Sequence, residues 1–357
     1  MSKKMNILYA VQATGNGHIA RATQLMPYLE QYGNVDVFLS GSNSNLSTQE
    51  LPVKYRSKGL SLFYGNRGGL DYYKMWKQLS IPTIIKEAKA LPVQQYDLVI
   101  NDFESITALA CKFKKIPSIQ FGHQASFVSS KTPRPLKKDF IGELVLKNYA
   151  TTSHQIGLHF QPYDSFIFSP IIKKEILNAH ATDKGHITVY LSHFSDELVV
   201  KALQKCKDLR FEVFSKKVVA PQILGNCTLL PIHNETFNNS VIHAHGVITG
   251  AGFETPAEVL YLGKKLLCIP IAGQYEQLCN AAALEAFRVP IVQTIDQHFT
   301  QIIYRWLASL QPKPLHLQQS TSEIVQQVIE LGKTISYNNH ETLPALTDHS
   351  LEQLALG

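Results

Sequence analysis

The chain has 357 residues, 45% of them apolar and 17% charged, which suffices for two domains with cores of their own and excludes a disordered protein. Its formal charge of +6 is spread over scattered Lys and Arg residues, which suits an anionic small ligand or an acidic membrane face and is weak evidence for nucleic acid. The five cysteines show no C-x-x-C pairing, Met1 to Lys4 leads into a strand without an apolar leader, and no apolar run approaches the roughly 20 residues that span a bilayer. A cytoplasmic protein, peripheral at most to the inner face of a membrane, is the expectation.

Met5 to Val11 predicts a first strand, followed by a glycine turn and a helix to about Tyr32. Gly15-x-Gly17-x-x-Ala20 fits a relaxed dinucleotide fingerprint, a weak signal alone. A nicotinamide enzyme also needs an acidic residue at the end of the second strand, whereas Val35 to Leu39 ends in Ser40-Gly41-Ser42, which makes that the lesser reading. His18, just after the turn, is a candidate general base because imidazole titrates near neutral pH; a histidine that hydrogen-bonds the turn is the plainer role. An extended run from Pro52 to Tyr64, a loop at Gly65 to Gly69 and a helix from Asp71 to Leu91 broken at Pro82 follow, in an aromatic and basic region. Tyr96 to Ile100 predicts a buried strand ending in Asn101-Asp102-Phe103-Glu104. Carboxylates at a strand's carboxyl end face the cleft of an α/β domain, so Asp102 and Glu104 are candidates for the base or for orienting His18. Capping of the next helix by Asp102, with Glu104 in its first turn, is the competing role. Pro117 to Phe121 predicts a fifth strand, with His123 beyond it as a weaker candidate for a phosphate or acceptor contact. Lys131 to Lys147 reads as a basic amphipathic helix, expected to be a surface helix with one core-facing stripe rather than a membrane-binding one.

Two short extended runs lie between His154 and Phe168, and the polar stretch from Pro170 to about Gly185 marks a domain boundary. A second domain over 185–335 opens with a strand, His186 to Leu191, that stops at Ser192-His193. A helix from Glu197 to Lys207, strands near Phe211 to Phe214 and Thr228 to Ile232, and a short helix at Thr236 to Ala244 lead to the most informative stretch, Val247 to Ala282. There, Val247 to Thr249 is a strand ending at Gly250-Ala251-Gly252, and a helix runs from Phe253 to Gly263. Leu266 to Ile271 is another strand and Gln274 to Phe287 another helix. Two strand–glycine–helix units in a row place two helix N-termini at one edge of a parallel sheet, where unpaired backbone N–H groups favour an anion. Thr255, Glu258, Gln274, Glu276, Gln277 and Asn280 lie within a turn or two of those ends, as for a phosphorylated, hydroxyl-rich ligand. Helices at Thr300 to Leu310 and Ser322 to Lys333 close the pattern, and the polar tail 336–357 has no assigned role.

The Val247–Ala282 stretch resembles the donor-binding region of GT-B glycosyltransferases. It is similar to the UDP-glycosyltransferases, to the lipid-II-forming N-acetylglucosaminyltransferases and to family 28 proteins with a GFET…E…P…G-Q-x-E-Q-x-x-N-A pattern. The resemblance implies an α/β fold of two Rossmann-like parallel-sheet domains facing across a cleft, with residues 1–170 on the acceptor side and 185–335 holding the nucleotide-sugar. It implies that Gly252, next to Phe253, lets the backbone approach a diphosphate, with the Thr255 hydroxyl beside it. Glu258 would accept from the ribose hydroxyls, and Glu276 and Gln277, with Asn280 after them, would hold the sugar. Gly17 and His18 match a glycine–histidine pair facing the cleft. Ser192 and His193 match a loop touching the donor phosphates, and 232–237 would border the base. Gly250 departs from the pattern, standing where relatives carry His or Arg against the diphosphate.

The implied activity is inverting, metal-independent transfer from a UDP-sugar to a hydroxyl acceptor, a lipid or cell-envelope glycan, with no cofactor besides the nucleotide-sugar. No Asp-x-Asp motif of a metal–diphosphate clamp is present. A nucleotide-sugar epimerase or hydrolase of the same fold and a non-catalytic UDP-sugar binder are the alternatives.

Overall fold

Alternating strands and helices wind two separate sheets, each facing the other with its carboxyl edge. The computed structural model describes residues 4–13, 16–41, 51–59 and 81–341. Gly15 of the fingerprint, the Gly65–Gly69 loop with the aromatic and basic residues around it, the helix start at Asp71 and the tail beyond Glu341 lie outside the described residues.

The first sheet contains β1 (Met5–Gln12), β2 (Gly33–Ser40), β3 (Val53–Ser57), β4 (Leu98–Asp102), β5 (Ile119–Gly122), β6 (His154–Leu158) and β7 (Ile167–Phe168). Their order is β3-β2-β1-β4-β5-β6-β7, with every neighbouring pair parallel. Parallel neighbours require crossovers, which α1 (Asn16–Leu29), α2 (Ile81–Ala90), α3 (Ser105–Lys114) and α4 (Phe140–Asn148) help supply. Both faces of the sheet are covered. In β1, Ile7, Tyr9 and Val11 enter one core cluster while Leu8 and Ala10 enter another, which is why the strand reads as an unbroken apolar run. The winding direction reverses between β1 and β4, and ligands bind open α/β sheets at the carboxyl ends of such strands.

The second sheet contains β8 (His186–Tyr190), β9 (Arg210–Ser215), β10 (Gln222–Leu224), β11 (Cys227–Pro231), β12 (Gly246–Thr249) and β13 (Lys265–Cys268), in the order β10-β11-β9-β8-β12-β13. All pairs are parallel except the β10–β11 hairpin, an exposed edge addition that the sequence pattern does not signal. The reversal here falls between β8 and β12. Both of the helices expected after the glycine turns form, as α8 (Glu254–Tyr261) and α9 (Tyr275–Leu284), alongside α6 (Asp196–Leu203), α7 (Asn234–His243) and α10 (Phe299–Ala308).

Three expectations change. The segment after Pro170 is not a polar linker: Ile171, Ile172 and, within the short α5 (Lys174–Leu177), Ile176 are buried in a core cluster that draws on both sheets. The closing helix α11 (Thr321–Glu341) belongs to the first sheet, packing on α1, β4 and β5 with Gly332 against Leu98. Its buried Ile324, Val325, Val328 and Ile329 form the helical stripe that demands such a surface, and the helix runs on into what was expected to be tail. Finally, α4 turns Gly142 and Leu146 inward but leaves Phe140, Ile141 and Leu144 exposed, so the core-facing stripe expected for it is incomplete. All five cysteines are free and buried. Among the described residues no helix is long and apolar enough to cross a membrane.

Candidate active site

The first turns of α1 carry His18 and Arg21 three residues apart, hence on one face. Pairing of β4 with β1 sets Asp102 opposite Val11, so the end of β4 meets that face. His18 Nδ1 lies 2.9 Å from Asp102 Oδ1. Arg21 grips the same carboxylate: its Nη2 donates to Oδ1 at 2.7 Å and to Oδ2 at 2.9 Å, and its Nε to Oδ2 at 3.1 Å. Its Nη1 donates across the cleft to Glu254 Oε1. His18 Nδ1 faces both Asp102 Oδ1 and, at 3.0 Å, Arg21 Nη2; the tautomer that turns its Nδ1 proton to the carboxylate makes Nε2 the acceptor, which Gln124 Nε2 approaches at 3.5 Å. Burial of Asp102 disfavours its charge, but Arg21 and His18 overcome this and bring its pKa down to about 2. Asp102 is therefore a permanent anion near neutral pH.

Asp102 and Glu104 do not act as a pair. Phe103 between them has φ 55°, a left-handed conformation that interrupts the alternation which would aim both carboxylates the same way. Glu104 instead folds back as the N-cap of α3, accepting from the amides of Ile106 at 2.8 Å and Thr107 at 2.6 Å. It is fully buried, and that burial raises its pKa. With both oxygens committed to backbone donors, Glu104 is corrected from candidate base to cap, the role the sequence pattern offered to Asp102.

On the opposite side, a cavity of about 80 Å³ lies between the domains, lined by Gly17, Lys173, Tyr190, Phe237, Glu254 and Thr255 among others. Gly17 abuts Glu254, where a Cβ would fall 2.5 Å from Oε2. Gly252 faces open space, and Gly250 faces Gln277. Gln277 Oε1 accepts from the amide of Ile271 at 2.9 Å, tying down the loop before α9. The buried Glu258 pairs with Lys173 at 3.2 Å, and Lys173 also donates to Asn238 at 3.2 Å. Burial raises the pKa of Glu258, and Lys173 opposes that rise.

Glu276 accepts from Gln124 Nε2 at 3.1 Å. Gln274 occupies the N-cap position of α9. Asn280 is fully buried, its Nδ2 donating to the Ala251 carbonyl at 3.1 Å and its Oδ1 lying 2.7 Å from His123 Nε2. Phe253 stacks on His123 with ring centroids 3.9 Å apart. Asn280, His123 and Phe253 thus bind one domain to the other. Burial lowers the pKa of His123. Ser192 and His193 lie in the turn after β8, where the Ser192 side chain hydrogen-bonds Tyr190 at the cavity wall; burial lowers the His193 pKa to about 4. Arg21, Gln124, Lys173 and Glu254 were not singled out from the sequence. Of these, Arg21 had a signal in its place three residues after His18, and Glu254 in its place within the GFET motif. Among the described residues no group of three or more His, Cys, Asp or Glu side chains is arranged to hold a metal ion.

The arrangement offers a carboxylate-anchored imidazole on one domain facing glycine-turn helix N-termini on the other. Comparison with solved structures finds the same two-domain fold. The Arabidopsis thaliana UGT89C1 complexed with UDP-L-rhamnose matches at TM-score 0.55 and 13% identity, covering 93% of this chain and 94% of that one. The spinosyn forosaminyltransferase SpnP matches at TM-score 0.55 and 13% identity, covering 93% and 100%. Phytolacca americana UGT2 complexed with UDP-2fluoro-glucose and pterostilbene matches at TM-score 0.53 and 14% identity, covering 96% and 94%. Comparison with curated protein sequences gives no match. Residues 5–310 match the glycosyl transferase family 1 profile. With that match running through both sheets, and with the GT-B architecture present, the chain belongs to glycosyl transferase family 1.

Proposed function

We propose that this glycosyltransferase moves a sugar, with inversion, from a UDP-sugar to a hydroxyl acceptor, using His18 as general base and Asp102 to orient it. The observation that carries the reading is the 2.9 Å contact between His18 and Asp102 at the point where the first sheet reverses, facing the second domain's glycine turns. In this scheme the acceptor hydroxyl gives its proton to His18 Nε2 while its oxygen attacks the anomeric carbon. The bond from that carbon to the diphosphate breaks, and UDP leaves with the electron pair. Asp102 stabilises the imidazolium as it forms. The leaving group's charge meets the first amides of α8 and the two cations that reach the cleft, Arg21 and Lys173. These take the place that Gly250 leaves without a side chain, and the reading needs neither a metal nor a cofactor.

Gly252, Thr255, Glu258 and Glu276 are the residues best placed for the donor. A UDP-linked donor is supported by the nucleotide-sugars held in two of the similar structures, and an acceptor of hydroxylated type by the quercetin complex of UGT89C1. A lipid or cell-envelope glycan is the finer form of the acceptor. Glu258 reaches a ribose by sharing its carboxylate with Lys173 or exchanging it. Calorimetric titration with UDP, with ADP and GDP as controls, tests the donor side. Glu258→Ala is expected to weaken UDP binding by about 1.5–3 kcal/mol, the worth of a charge-assisted hydrogen bond. Absence of UDP binding to the native chain, or equal binding by the variant, sinks the donor assignment.

A further inference from the structure

The Leu136–Leu144 segment presents its apolar side chains outward. Leu136 is fully exposed, Phe140 is 79% exposed, and Ile141 and Leu144 are each about half exposed. Phe140, Ile141 and Leu144 fall at i, i+1 and i+4 of α4, so they share one helical face, and Leu136 precedes it by one turn's length of chain. This is the reverse of an ordinary surface helix, whose apolar stripe points inward.

The inward side is occupied. Gly142 packs so closely on the Tyr275 ring that a Cβ would lie 2.4 Å from its Cγ. Tyr275 donates to Glu143 at 2.8 Å, and Arg134 is paired with the same carboxylate. The helix is thus clamped from behind by the second domain, which leaves its apolar face pointing away. Tyr275 adjoins Glu276, so the buried side of α4 packs beside the second domain's edge of the cleft.

Charge around the face is predominantly positive. Lys137 and Lys138 are exposed and have no ion-pair partner among the described residues. Lys131 and Lys147, also exposed, add two more cations, each offset by one carboxylate, Asp164 and Glu143. Asp139, the nearest acid in sequence, is turned to the backbone as the N-cap of α4. Apolar side chains that point away from the protein, with unpaired lysines beside them, match the acyl region and anionic headgroups of a bilayer surface.

We propose that this face docks the protein on an anionic membrane, with Phe140, Ile141 and Leu144 entering the headgroup boundary and Lys137 and Lys138 meeting lipid phosphates. Docking there holds the cleft edge at the bilayer, and, resting on the transfer reading above, makes the acceptor a lipid of that bilayer.

The test is flotation of the full chain with phosphatidylcholine vesicles, with and without phosphatidylglycerol. The native chain is expected to float with phosphatidylglycerol vesicles and to release as salt rises, and to float poorly with phosphatidylcholine alone. F140S/L144S and K137E/K138E should each lower the bound fraction at least about ten-fold while keeping the native melting temperature, because all four residues are solvent-facing. The proposal fails if the native chain floats with neither vesicle, or if both variants bind like it. It also fails if F140S/L144S instead turns a dimer into a monomer in lipid-free solution, which assigns the face to a second copy. UDP titration of the same samples separates the two readings. UDP binding without flotation ends the docking proposal alone, whereas flotation without UDP binding supports docking and ends the UDP-donor assignment.

Discussion

Asp102 serves two partners, Arg21 and His18, and this decides what His18 is able to do. Arg21 keeps the carboxylate ionised and immobile through three contacts within 3.1 Å, and the ionised carboxylate in turn holds the His18 proton on Nδ1. His18→Ala is expected to lower turnover on the order of 10²–10⁴-fold while leaving UDP affinity near native, since the base acts on the acceptor. Asp102→Asn should also depress turnover, because an amide can present N–H to Nδ1 and favour the wrong tautomer. Single-turnover transfer measured beside UDP titration checks both; native turnover in the His18 variant removes it as the base. The two key residues were legible because Asp102 ends β4 and His18 opens the helix after β1, the two strands flanking the reversal. Their partners were not: Glu254 is 233 positions from Arg21, and nothing local marks the pair.

A single backbone conformation separates the roles of two neighbouring carboxylates at the end of β4. A non-glycine residue in the left-handed region costs about 1–2 kcal/mol, and Phe103 is held there by burial and by stacking on Tyr149 at 4.8 Å. The turn sends Glu104 under α3, where it satisfies two amides that no helix bond reaches. Glu104→Ala leaves those donors unpaired and is expected to destabilise the protein by about 1–3 kcal/mol. Glu104→Gln, which retains one acceptor oxygen, should lose less. Urea unfolding measures both, and an Ala variant as stable as the native chain contradicts the capping role. The sequence pattern put a cap and a cleft carboxylate at this strand end, but which residue took which role depended on the φ of Phe103, which side-chain chemistry does not announce.

Across the whole molecule, the buried His159 and the half-buried His193 set the response to acid. Burial lowers the pKa of His159 well below 6.5 and that of His193 to about 4. For His159 the geometry agrees, because Nδ1 accepts from the amide of Phe160 at 2.9 Å and a proton there would break that bond. Below pH 6.5 the unfolded chain binds protons at these positions and the folded chain does not, so stability falls on acidification. Asp102 acts in the same direction at lower pH: its contribution is present above its ordinary 3.8 and is lost as pH drops through about 2. The melting temperature should therefore decline between about pH 7 and 5, with the raised pKa values of the buried Glu104 and Glu258 acting in the opposite direction. His193→Gln should make that decline shallower. A flat profile over the same range means that these histidines carry no penalty for protonation.

The sequence by itself determined the two-sheet α/β plan, the strand–glycine–helix units and the positions of His18, Asp102, Thr255 and Glu258, because glycine turns and buried parallel strands are written locally as short apolar runs with sharp ends. The tertiary structure decided the rest: that α11 returns to the first sheet, that Lys173 guards Glu258, that Asn280 and His123 join the domains, and that α4 shows its apolar side to solvent. Each of these depends on which surfaces the two sheets bring together, and a helix's apolar stripe records only that it needs a partner, whereas the packing of the folded chain determines which one it meets.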